Sequence, residues 1–343
     1  MKKTLGILFI LMSAGIVHAQ TQIDTLADKM LRYQLPVGAW SKQLADKSTV
    51  DYSKPIDKSL ADKIRKTTDQ YATIDNKATS REIEYLIQAY HKTKNPAYLK
   101  AVERGIEYLL KMQYPNGGFP QYYPNASLYR GEITYNDNAM INALDILYNV
   151  SNKLEGYEVV RSGLSKRAQN AVSRGLDCIL KTQVRQNGTL TIWAAQYDQN
   201  TLQPAKARNF EPASLSTSES MGVVKFLMRL EQPSAEVIQA VKSAKKWFET
   251  NDIEGYRFDF SKDPETNKPT RQLVKDPDAV VWARFYDLKD NRPIFGDRDN
   301  SVKYNLSEVS EERRNGYAWY GVWPLNFVQK DYQKWLKKNK IEE

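Results

Sequence analysis

The sequence predicts an all-α fold, an (α/α)3 toroid or barrel of three helical hairpins, with long loops and short β segments on one face. Three observations lead to this class. Apolar residues recur at helical spacing, a helix–turn–helix plan occurs three times, and the second helix of each copy leads into a similar loop. One hairpin cannot bury its own apolar stripe, so neighbouring copies must pack together. Terminal capping repeats are not apparent in the sequence, which favours a closed ring over an open solenoid.

The chain opens with two lysines, an apolar stretch too short to span a bilayer, and the small residues of "VHA". This pattern is typical of a secretory signal peptide over residues 1–19, cut between Ala19 and Gln20. We therefore expect the mature protein to be secreted or periplasmic. We expect residues 20–343 to form one domain, because no Gly/Ser linker or low-complexity tract divides them. The single Cys178 cannot form an internal disulfide, and we expect it to be buried in a helix.

The first hairpin is predicted in "TSREIEYLIQAYHKTKNPAYLKAVERGIEYLLKMQ". Thr79 and Glu82 have the spacing of a capping box at the start of its first helix. Asn95 and Pro96 are typical of the start of a second helix. The segment therefore predicts two amphipathic helices joined by a short turn.

The same plan returns in "NDNAMINALDILYNV" and in "STSESMGVVKFLMRL", each followed by a second apolar-striped segment. Ser165 is the expected cap in the second copy, and Ser216 and Glu219 have capping-box spacing in the third. The second helices of the first two copies both end in Gln, turn through Asn-Gly and continue into an aromatic-rich extended segment. We expect these loops to gather on one face, where they would bring together Tyr122 and Asp198.

Composition narrows the available chemistry. The formal net charge is +9 and falls by two, to +7, once Lys2 and Lys3 leave with the signal peptide. This positive charge suits an anionic polymer or a membrane surface, but solubility explains it equally well. The remaining histidine, His91, lies near a predicted helix end, where a positive charge is favourable. A Ser-His-Asp triad, a thiol nucleophile, a zinc cluster and a Gly-rich phosphate loop are therefore not supported.

Carboxylates, arginines, lysines and tyrosines are concentrated in four stretches outside the predicted helices. These stretches are "ITYNDNAM", "WAAQYDQNTLQPAKARNFEP", "DPDAVVWARFYDLKDNRPIFGDRDNSVKYNL" and "EERRNGYAWYG". Aromatic rings stack on sugars and guanidinium groups hold carboxylates in pairs of hydrogen bonds, so the combination is typical of acidic-polysaccharide binding. Three consecutive polar residues, Asn136, Asp137 and Asn138, are more than a helix cap requires.

These stretches, together with "MQYPNGGFPQYYP", resemble the pectate lyases of polysaccharide lyase family 10 over roughly residues 25–335, in order and with similar spacing. The resemblance implies a secreted, Ca2+-dependent enzyme that cleaves polygalacturonate on an α/α toroid. The implied reaction is β-elimination, which produces 4,5-unsaturated oligogalacturonides. Residues 20–343 would then form a single catalytic domain.

The resemblance also implies which residues take part. It assigns the catalytic base to Arg298 in "FGDRD", with Arg314 as the main competitor. An arginine titrates above about 12, so an arginine base needs strong local help or an alkaline medium. The alternative for Arg298 is a structural ion pair with Asp297 or Asp299. The residues expected to bind substrate are Arg208, Arg284, Arg314, Lys206, Tyr135 and Tyr122.

A calcium ion would require oxygen ligands from carboxylates, amide carbonyls and water. Asp137, Asn138 and Asp198 are the expected metal ligands, because the two aspartates occupy successive loop-and-helix junctions that would face the same end. Substrate carboxylates and water would complete the shell. Capping of the following helix explains part of the same stretch.

Two alternatives stay open. A glycoside hydrolase on the same kind of toroid would use Asp137 and Asp198 as its pair of carboxylates, although the arginine-rich loop gains little for neutral sugars. A non-catalytic binder of acidic polysaccharide would need only basic loops and aromatic platforms, and the clustered oxygen donors would lack a purpose. As partners we expect polygalacturonate or pectin, no nucleic acid, and no membrane after signal removal. We expect a monomer.

Overall fold

The structure, a computed structural model, describes residues 23–343. The signal peptide predicted over residues 1–19 and its cleavage point lie outside the described residues. Within residues 23–343, the helices are all too short or too polar to cross a membrane.

Helices make up most of the regular structure in the described part of the chain. A π-helix, Phe327–Asp331, leads directly into the last of them. The α-helices are α1 (Thr25–Tyr33), α2 (Lys58–Lys66), α3 (Ser80–Thr93), α4 (Pro96–Met112), α5 (Ala139–Asn152), α6 (Ser162–Thr182), α7 (Thr217–Arg229), α8 (Ala235–Thr250), α9 (Glu311–Gly316) and α10 (Tyr332–Asn339).

The three predicted helical hairpins are present as α3–α4, α5–α6 and α7–α8, and the helices of each pair pack against each other. A glycine allows close packing in the first two pairs. A Cβ atom at Gly105 of α4 would lie 2.7 Å from the Ile83 side chain of α3, and one at Gly175 of α6 would lie 2.4 Å from Leu144 of α5. Helical periodicity therefore predicted these elements correctly.

The predicted helix caps are confirmed only in part. The Asn95 side chain accepts a hydrogen bond from the amide of Ala97 at the start of α4, as expected. Thr79 does not cap α3, because its hydroxyl bonds to the Thr73 carbonyl instead. The predicted cap Ser165 lies inside α6, which begins at Ser162.

Short antiparallel strands link the helical hairpins. They pair as β1 with β4, β2 with β3, β5 with β8 and β9 with β10, and β7 pairs with both β6 and β11 in a three-stranded sheet. The strands are β1 (Ile133–Thr134), β2 (Arg185–Gln186), β3 (Thr189–Leu190), β4 (Gln196–Tyr197), β5 (Leu215–Ser216), β6 (Ile253–Lys262), β7 (Pro269–Ala283), β8 (Phe285–Tyr286), β9 (Phe295–Gly296), β10 (Val302–Lys303) and β11 (Tyr320–Gly321).

The prediction of an all-α (α/α)3 toroid is wrong. Strands β6 and β7 are 10 and 15 residues long and form an extended hairpin, to which β11 adds a third strand. Polar and apolar residues alternate along β6 in "YRFDF", which is the two-residue period of a half-exposed strand. The fold therefore combines helices with sheets.

Buried tryptophans connect the extended segments to the helices. The indole N–H of Trp193 donates to the carbonyl of Ile179 in α6, and that of Trp282 donates to the carbonyl of Phe248 in α8, both at 2.8 Å. Both side chains are almost fully buried, so satisfying the indole N–H removes the cost of burying it. These bonds fix the strands that follow the second and third hairpins and hold the loops that form the functional site. Cys178 is buried in α6, as predicted.

Candidate functional site

Acidic side chains meet where the first helix of each hairpin begins. Asp75 precedes α3, Asp137 precedes α5 and Glu219 lies in the first turn of α7. The segment around Asp137 contacts both the segment around Asp75 and helix α7. Three helix N-termini, each with unpaired amide groups and a partial positive charge, therefore surround this acidic cluster.

The backbone of the first two starts has the same unusual conformation. Asn76 (φ 50°, ψ 39°) and Asp137 (φ 52°, ψ 25°) are both left-handed, and each is followed by a second left-handed residue, Lys77 or Asn138. Residues other than glycine adopt this region at a cost in energy, and such positions cluster at functional sites. The repeat of this conformation supports a shared role in shaping the site.

The Asn138 side chain packs against α7 from the start of α5. A Cβ atom at Gly222 of α7 would lie only 1.9 Å from Asn138 Oδ1, so the close approach requires glycine there. Asn138 Oδ1 is buried and has no hydrogen-bond partner among residues 23–343, and the same holds for Asp75 Oδ1. A buried oxygen without a partner is costly, unless a ligand or cation binds it.

The charges around Asp137 show which groups face it. The protein around Asp137 removes part of its hydration and, together with the nearby Glu219 and Asp75, raises the pKa of its carboxyl. Arg284 and Arg208 lie close enough to oppose that increase. The carboxylate therefore stands between two other acids and two guanidinium groups.

Arg284 is held rigidly beside the acidic cluster. It forms an ion pair with Glu219, whose other carboxylate oxygen accepts a hydrogen bond from Ser216. Its guanidinium lies 5.0 Å from the ring centroid of Tyr317. Burial works against its charge, but Glu219, Tyr317 and Asp137 outweigh this effect and raise the pKa of Arg284. Glu219 therefore orients this guanidinium and does not cap the backbone of α7 in a capping box.

Arg208 is held by a second buried carboxylate. Its Nε donates to Glu211 Oε2 at 2.7 Å, its Nη2 donates to the other oxygen, and the Tyr317 hydroxyl donates to Glu211 Oε1 at 2.9 Å. The hydrogen bond from Arg208 to Glu211 raises the pKa of Arg208 above its ordinary range. The guanidinium also stacks 4.7 Å from the centroid of Phe210.

A cleft of about 730 Å3 opens beside these arginines. Arg298 lines it but is paired with Glu312 at 2.7 and 2.9 Å, and Lys206 lines it with its ammonium 3.3 Å from Asn300 Oδ1. The lining residues are Leu128, Tyr129, Glu132, Ala205, Lys206, Ala207, Arg208, Asn209, Phe210 and Arg298. The structure thus brings Arg208, Arg298 and Lys206 together, as the sequence suggested.

Tyr122 stands on the other side of Asp75. Lys42 forms an ion pair with Asp75 and lies close to the Tyr122 hydroxyl, while the Arg130 guanidinium lies 4.8 Å from the Tyr122 ring centroid. Burial raises the pKa of Tyr122, and Lys42 opposes this. Cations and an aromatic ring therefore flank the acidic cluster on this side too.

Tyr135 does not face the site. Its side chain is fully buried, and its hydroxyl is hydrogen-bonded to Thr182 Oγ1 at 2.8 Å. The expected contact between Tyr135 and a substrate is therefore wrong, because its ring belongs to the core.

Asp198 is not placed with Asp137 and Asn138. Strands β1 and β4 are antiparallel with Ile133 opposite Tyr197, so Asp198 lies beside Glu132, at the opposite end of this ribbon from Asp137. Asp198 Oδ1 accepts hydrogen bonds from the amides of Asn200 and Thr201 and from the Thr201 hydroxyl. These bonds lower the pKa of Asp198, and those from the amide and hydroxyl of Thr201 contribute most.

The turn at Asp198 recurs elsewhere in the chain, which explains its role. Asp263 accepts the same three kinds of hydrogen bond from Glu265 and Thr266, and each aspartate begins a turn that ends at a proline six residues later. Asp287 begins a third such turn and accepts from the amide of Lys289. Asp198 is therefore a turn residue, and grouping it with Asp137 was incorrect.

Arg314 lies outside the cleft. It lines a separate groove on the β6–β7 hairpin, and its Nη1 donates to the Ser307 carbonyl at 3.2 Å. The neighbouring Arg313 faces the cleft side instead, 4.4 Å from the Phe210 ring centroid. Arg314 is therefore not placed to compete with Arg298 for the catalytic position.

The sequence-based prediction missed Asp75 and Lys42, and it missed the roles of Glu211 and Glu219 in orienting arginines. For Asp75 a signal existed, since "TIDNKA" before α3 aligns with "TYNDNA" before α5, with matching left-handed residues. For Glu219 a signal also existed, because it lies three residues after the end of β5, just as Asp137 lies three residues after the end of β1. Lys42 has no comparable pattern, because it reaches Asp75 from a segment distant in sequence.

Few carboxylates are available for a metal. Within residues 23–343, no three or more His, Cys, Asp or Glu side chains are grouped to hold an ion. Asp75 and Asp137 supply carboxylate oxygens, and Asn138 supplies an amide oxygen. Oxygen ligands of this kind suit a hard cation such as calcium, which takes six to eight of them, so a substrate and water would have to supply the others.

Comparison with known proteins places the chain in a family. A family profile described as pectic acid lyase matches residues 34–328. Two structures of a family 10 polysaccharide lyase from Cellvibrio cellulosa are similar, each with a TM-score of 0.79 and with 92% of both chains covered. One is 35% identical to this chain, and the other, a mutant in complex with trigalacturonic acid, is 36% identical. No curated protein matches. The chain therefore belongs to the pectic acid lyase family and is a pectate lyase.

Proposed function

We propose that this enzyme cleaves polygalacturonate by β-elimination and leaves a 4,5-unsaturated sugar at the new end. The observation that carries the proposal is the position of Asp137, between the acids Asp75 and Glu219 and the guanidinium groups of Arg208 and Arg284. The similar lyase bound to trigalacturonic acid supports the same substrate class. A polymer with a carboxylate on every sugar suits a cleft lined by Arg208, Arg298 and Lys206.

The reaction requires stabilisation of negative charge. A base takes the proton from C5, a double bond forms between C4 and C5, and the C4–O4 bond breaks with its electrons going to oxygen, which is then protonated. Negative charge develops on the carboxylate attached to C5. The Arg284 guanidinium, already held in place by Glu219, stabilises that charge more strongly in the transition state than in the bound substrate.

We propose that calcium takes part and that Asp137, Asn138 and Asp75 hold it. The partnerless oxygens of Asp75 and Asn138 support this ligand set, and Asp75 replaces the expected Asp198. Bound calcium would supply positive charge to a substrate carboxylate. Lys42, paired with Asp75, would balance the acidic charge when calcium is absent.

For the base we propose Arg208 in place of Arg298, the residue expected from the sequence, and Arg298 stays as its competitor. Arg208 is bound to Glu211, which accepts from the Tyr317 hydroxyl. The centre of the Tyr317 ring lies 5.0 Å from the guanidinium of Arg284, the ion-pair partner of Glu219. Arg208 is therefore connected to the acidic cluster, whereas Arg298 is paired with Glu312 at the cleft edge. Arg298 is exposed and paired with Glu312, an arrangement suited to meeting a substrate carboxylate at the cleft edge. A base must be deprotonated to accept the proton. Because the hydrogen bond to Glu211 raises the pKa of Arg208, its deprotonated form becomes more populated only as pH rises, and we expect turnover to increase with pH on the alkaline side.

A single assay tests the reaction type. The protein is incubated with polygalacturonate, with calcium or with chelator, and ultraviolet absorbance and reducing ends are followed together. Elimination produces the conjugated chromophore along with new ends, and we expect this product only with calcium. New reducing ends without the chromophore would indicate hydrolysis, and binding without either product would indicate a non-catalytic protein.

Substitutions distinguish the two candidate bases. Loss of a general base typically lowers turnover by about 10²- to 10⁴-fold, so we expect Arg208→Ala to have this effect while substrate still binds. Arg298→Ala should mainly raise KM. Arg185→Ala removes a guanidinium that bonds to the Gly188 carbonyl, away from the cleft, and serves as the matched control. If Arg298→Ala loses turnover and Arg208→Ala keeps it, the assignment is reversed.

We also propose that residues 20–343 form one exported catalytic domain that is monomeric, secreted or periplasmic. The signal-peptide pattern of residues 1–19 supports export. N-terminal sequencing of protein recovered outside the cytoplasm should begin at Gln20. Sedimentation should yield the mass of one chain, and a dimer mass would contradict that part of the proposal.

A further inference from the structure

A second groove lies against the β6–β7 hairpin, separate from the cleft. Its volume is about 570 Å3, and its walls come from β7, from the segment around Tyr304 and from α9. It shares no lining residue with the cleft. Its chemistry is therefore a separate question.

Two arginines line this groove without a carboxylate partner. Arg271 lies 5.0 Å from the ring centroid of Phe260, and Arg314 donates to the Ser307 carbonyl. Neither forms an ion pair within the part of the chain that the structure describes, whereas the cleft arginines Arg208 and Arg298 are both paired. Glu311 is the one acidic side chain lining the groove, so the lining is positive by one charge.

Exposed aromatic rings stand beside these cations. Phe260 is 59% exposed and lies directly opposite Arg271 in the register of the hairpin. Tyr304, which is 47% exposed, lines the groove and has the Arg292 guanidinium 4.3 Å from its ring centroid. Exposed aromatic rings can stack on sugars, and arginines without a carboxylate partner are available to bind carboxylates, so together they suit an acidic polysaccharide.

The groove lies close to the cleft, with one smaller cavity between them. A smaller cavity of about 380 Å3 shares Glu311 and Asn315 with the groove and is also lined by Glu312. Glu312 is the ion-pair partner of Arg298, which lines the cleft. The charge of Glu312 is balanced by Arg298 and by Arg313, whose Nη2 lies 3.3 Å from it. A long chain leaving the cleft past Arg298 would therefore meet this surface next.

We propose that the hairpin groove is an auxiliary site that binds the carboxylates of uronate sugars outside the cleft, with Arg271 and Arg314 as the binding cations. The proposal rests on the proposed substrate, a polymer with one carboxylate per sugar. Holding a distant part of the polymer raises the effective concentration of the segment that reaches the cleft. The site would therefore favour long polymers over short oligomers.

The test compares polygalacturonate with trigalacturonate for the double variant Arg271→Ala/Arg314→Ala. Exposed charge contacts each change affinity by a small factor, so we expect KM for the polymer to rise roughly three- to tenfold. The kcat and KM for the trimer should change less than twofold. Arg257→Ala is the matched control, because it removes an arginine from the same hairpin that is already paired with Asp259. The charge-retaining variant Arg271→Lys/Arg314→Lys should keep most of the preference for the polymer over the trimer. It shows whether a loss in the alanine variant comes from the missing charges or from misfolding.

A binding measurement separates this proposal from the lyase proposal. Affinity electrophoresis in polygalacturonate gels is run on Arg208→Ala with and without the two groove substitutions, and needs no turnover. We expect the groove substitutions to weaken the residual retardation, and added salt to weaken it further. Equal increases in KM for polymer and trimer, the same loss in Arg257→Ala, or unchanged retardation would each overturn the auxiliary site. If the wild-type protein forms no chromophore but the retardation behaves as expected, only the lyase chemistry would be rejected.

Discussion

The two loops that begin at Trp193 and Trp282 share a backbone scaffold, but only the second places an arginine, Arg284, beside the acidic cluster. "WAAQYDQNTLQP" and "WARFYDLKDNRP" align without a gap, and in both the tyrosine hydroxyl accepts a hydrogen bond from the amide of the alanine that follows the tryptophan. The carbonyl of Ala195 accepts from the amide of Tyr135 before α5, and the carbonyl of Arg284 accepts from the amide of Thr217 at the start of α7. The backbone role is the same, and only the second loop adds a guanidinium. Function therefore depends on a side chain, while the repeated loop fixes its position.

Replacing that guanidinium should produce the largest effect. Arg284→Ala makes the second loop resemble the first, and we expect turnover on polygalacturonate to fall by about 10²- to 10³-fold, because a preorganised charge is lost. Arg292→Ala removes an exposed arginine of the same loop that is paired with Asp290, and should keep near-normal turnover. Initial rates from the absorbance assay measure both. A loss below tenfold in folded Arg284→Ala would mean that the difference between the loops is not functional.

The second loop should also depend on its buried carboxylate for stability. Glu219→Ala leaves Arg284 buried without a partner, and breaking a buried pair in this way typically costs about 3–5 kcal/mol. Urea denaturation measures the free energy of unfolding. The double variant Glu219→Ala/Arg284→Met should recover part of the loss, because no charge is then left unpaired. An unchanged midpoint in Glu219→Ala would show that the pair is not a structural requirement.

The acidic cluster should set a lower pH limit for activity, and the aspartates of the turns should set none. The pKa of Asp137 is raised by lost hydration and by Glu219 and Asp75, so its ionised form disappears at a higher pH than for an ordinary aspartate. The proposed calcium binding requires the ionised form. We therefore expect the calcium concentration for half-maximal rate to rise as pH falls towards the raised pKa, before the ordinary pKa of an aspartate, about 3.9, is reached. A constant requirement down to about pH 4 would contradict this.

The smallest effects are expected at the matching aspartates of the two turns. Asp198→Asn and Asp287→Asn should each lower the melting temperature by only a few degrees and leave turnover unchanged. The pKa of Asp198 is lowered in the folded state by its bonds to Thr201 and Asn200, so its contribution is present above the unfolded pKa, about 3.9, and is lost as pH falls through the folded pKa. The difference between wild type and Asp198→Asn should therefore disappear under strongly acidic conditions. A large loss of activity in Asp198→Asn would restore the original interpretation of that residue.

Local patterns explain which parts of the fold were predictable. Helical spacing indicated α3 to α8 correctly, because burial along one face leaves a clear period. The β6–β7 hairpin was missed because its strands carry many charges, and a shift in register between Glu254 and Tyr256 interrupts the alternation. An exposed strand buries little apolar surface, so its sequence resembles a loop.

The site was predictable where the sequence holds more polar residues than a helix cap requires. Asn136, Asp137 and Asn138 stood out because one cap requires one polar residue, and the structure places Asp137 and Asn138 in the cluster. Asp75 did not stand out, because a single Asp-Asn pair also suits a turn. Asp198 was misassigned for the converse reason, since a turn satisfies its carboxylate through bonds that the sequence alone does not reveal.

The central claim is that the acidic cluster, and not the Asp198 turn, serves the reaction. The most direct measurement is the rate of chromophore formation across calcium concentrations for wild type, Asp75→Asn and Asp198→Asn. We predict that Asp75→Asn needs at least about tenfold more calcium for half-maximal rate, because a charged oxygen ligand is lost, while Asp198→Asn matches wild type. A raised calcium requirement in Asp198→Asn with none in Asp75→Asn would contradict the account.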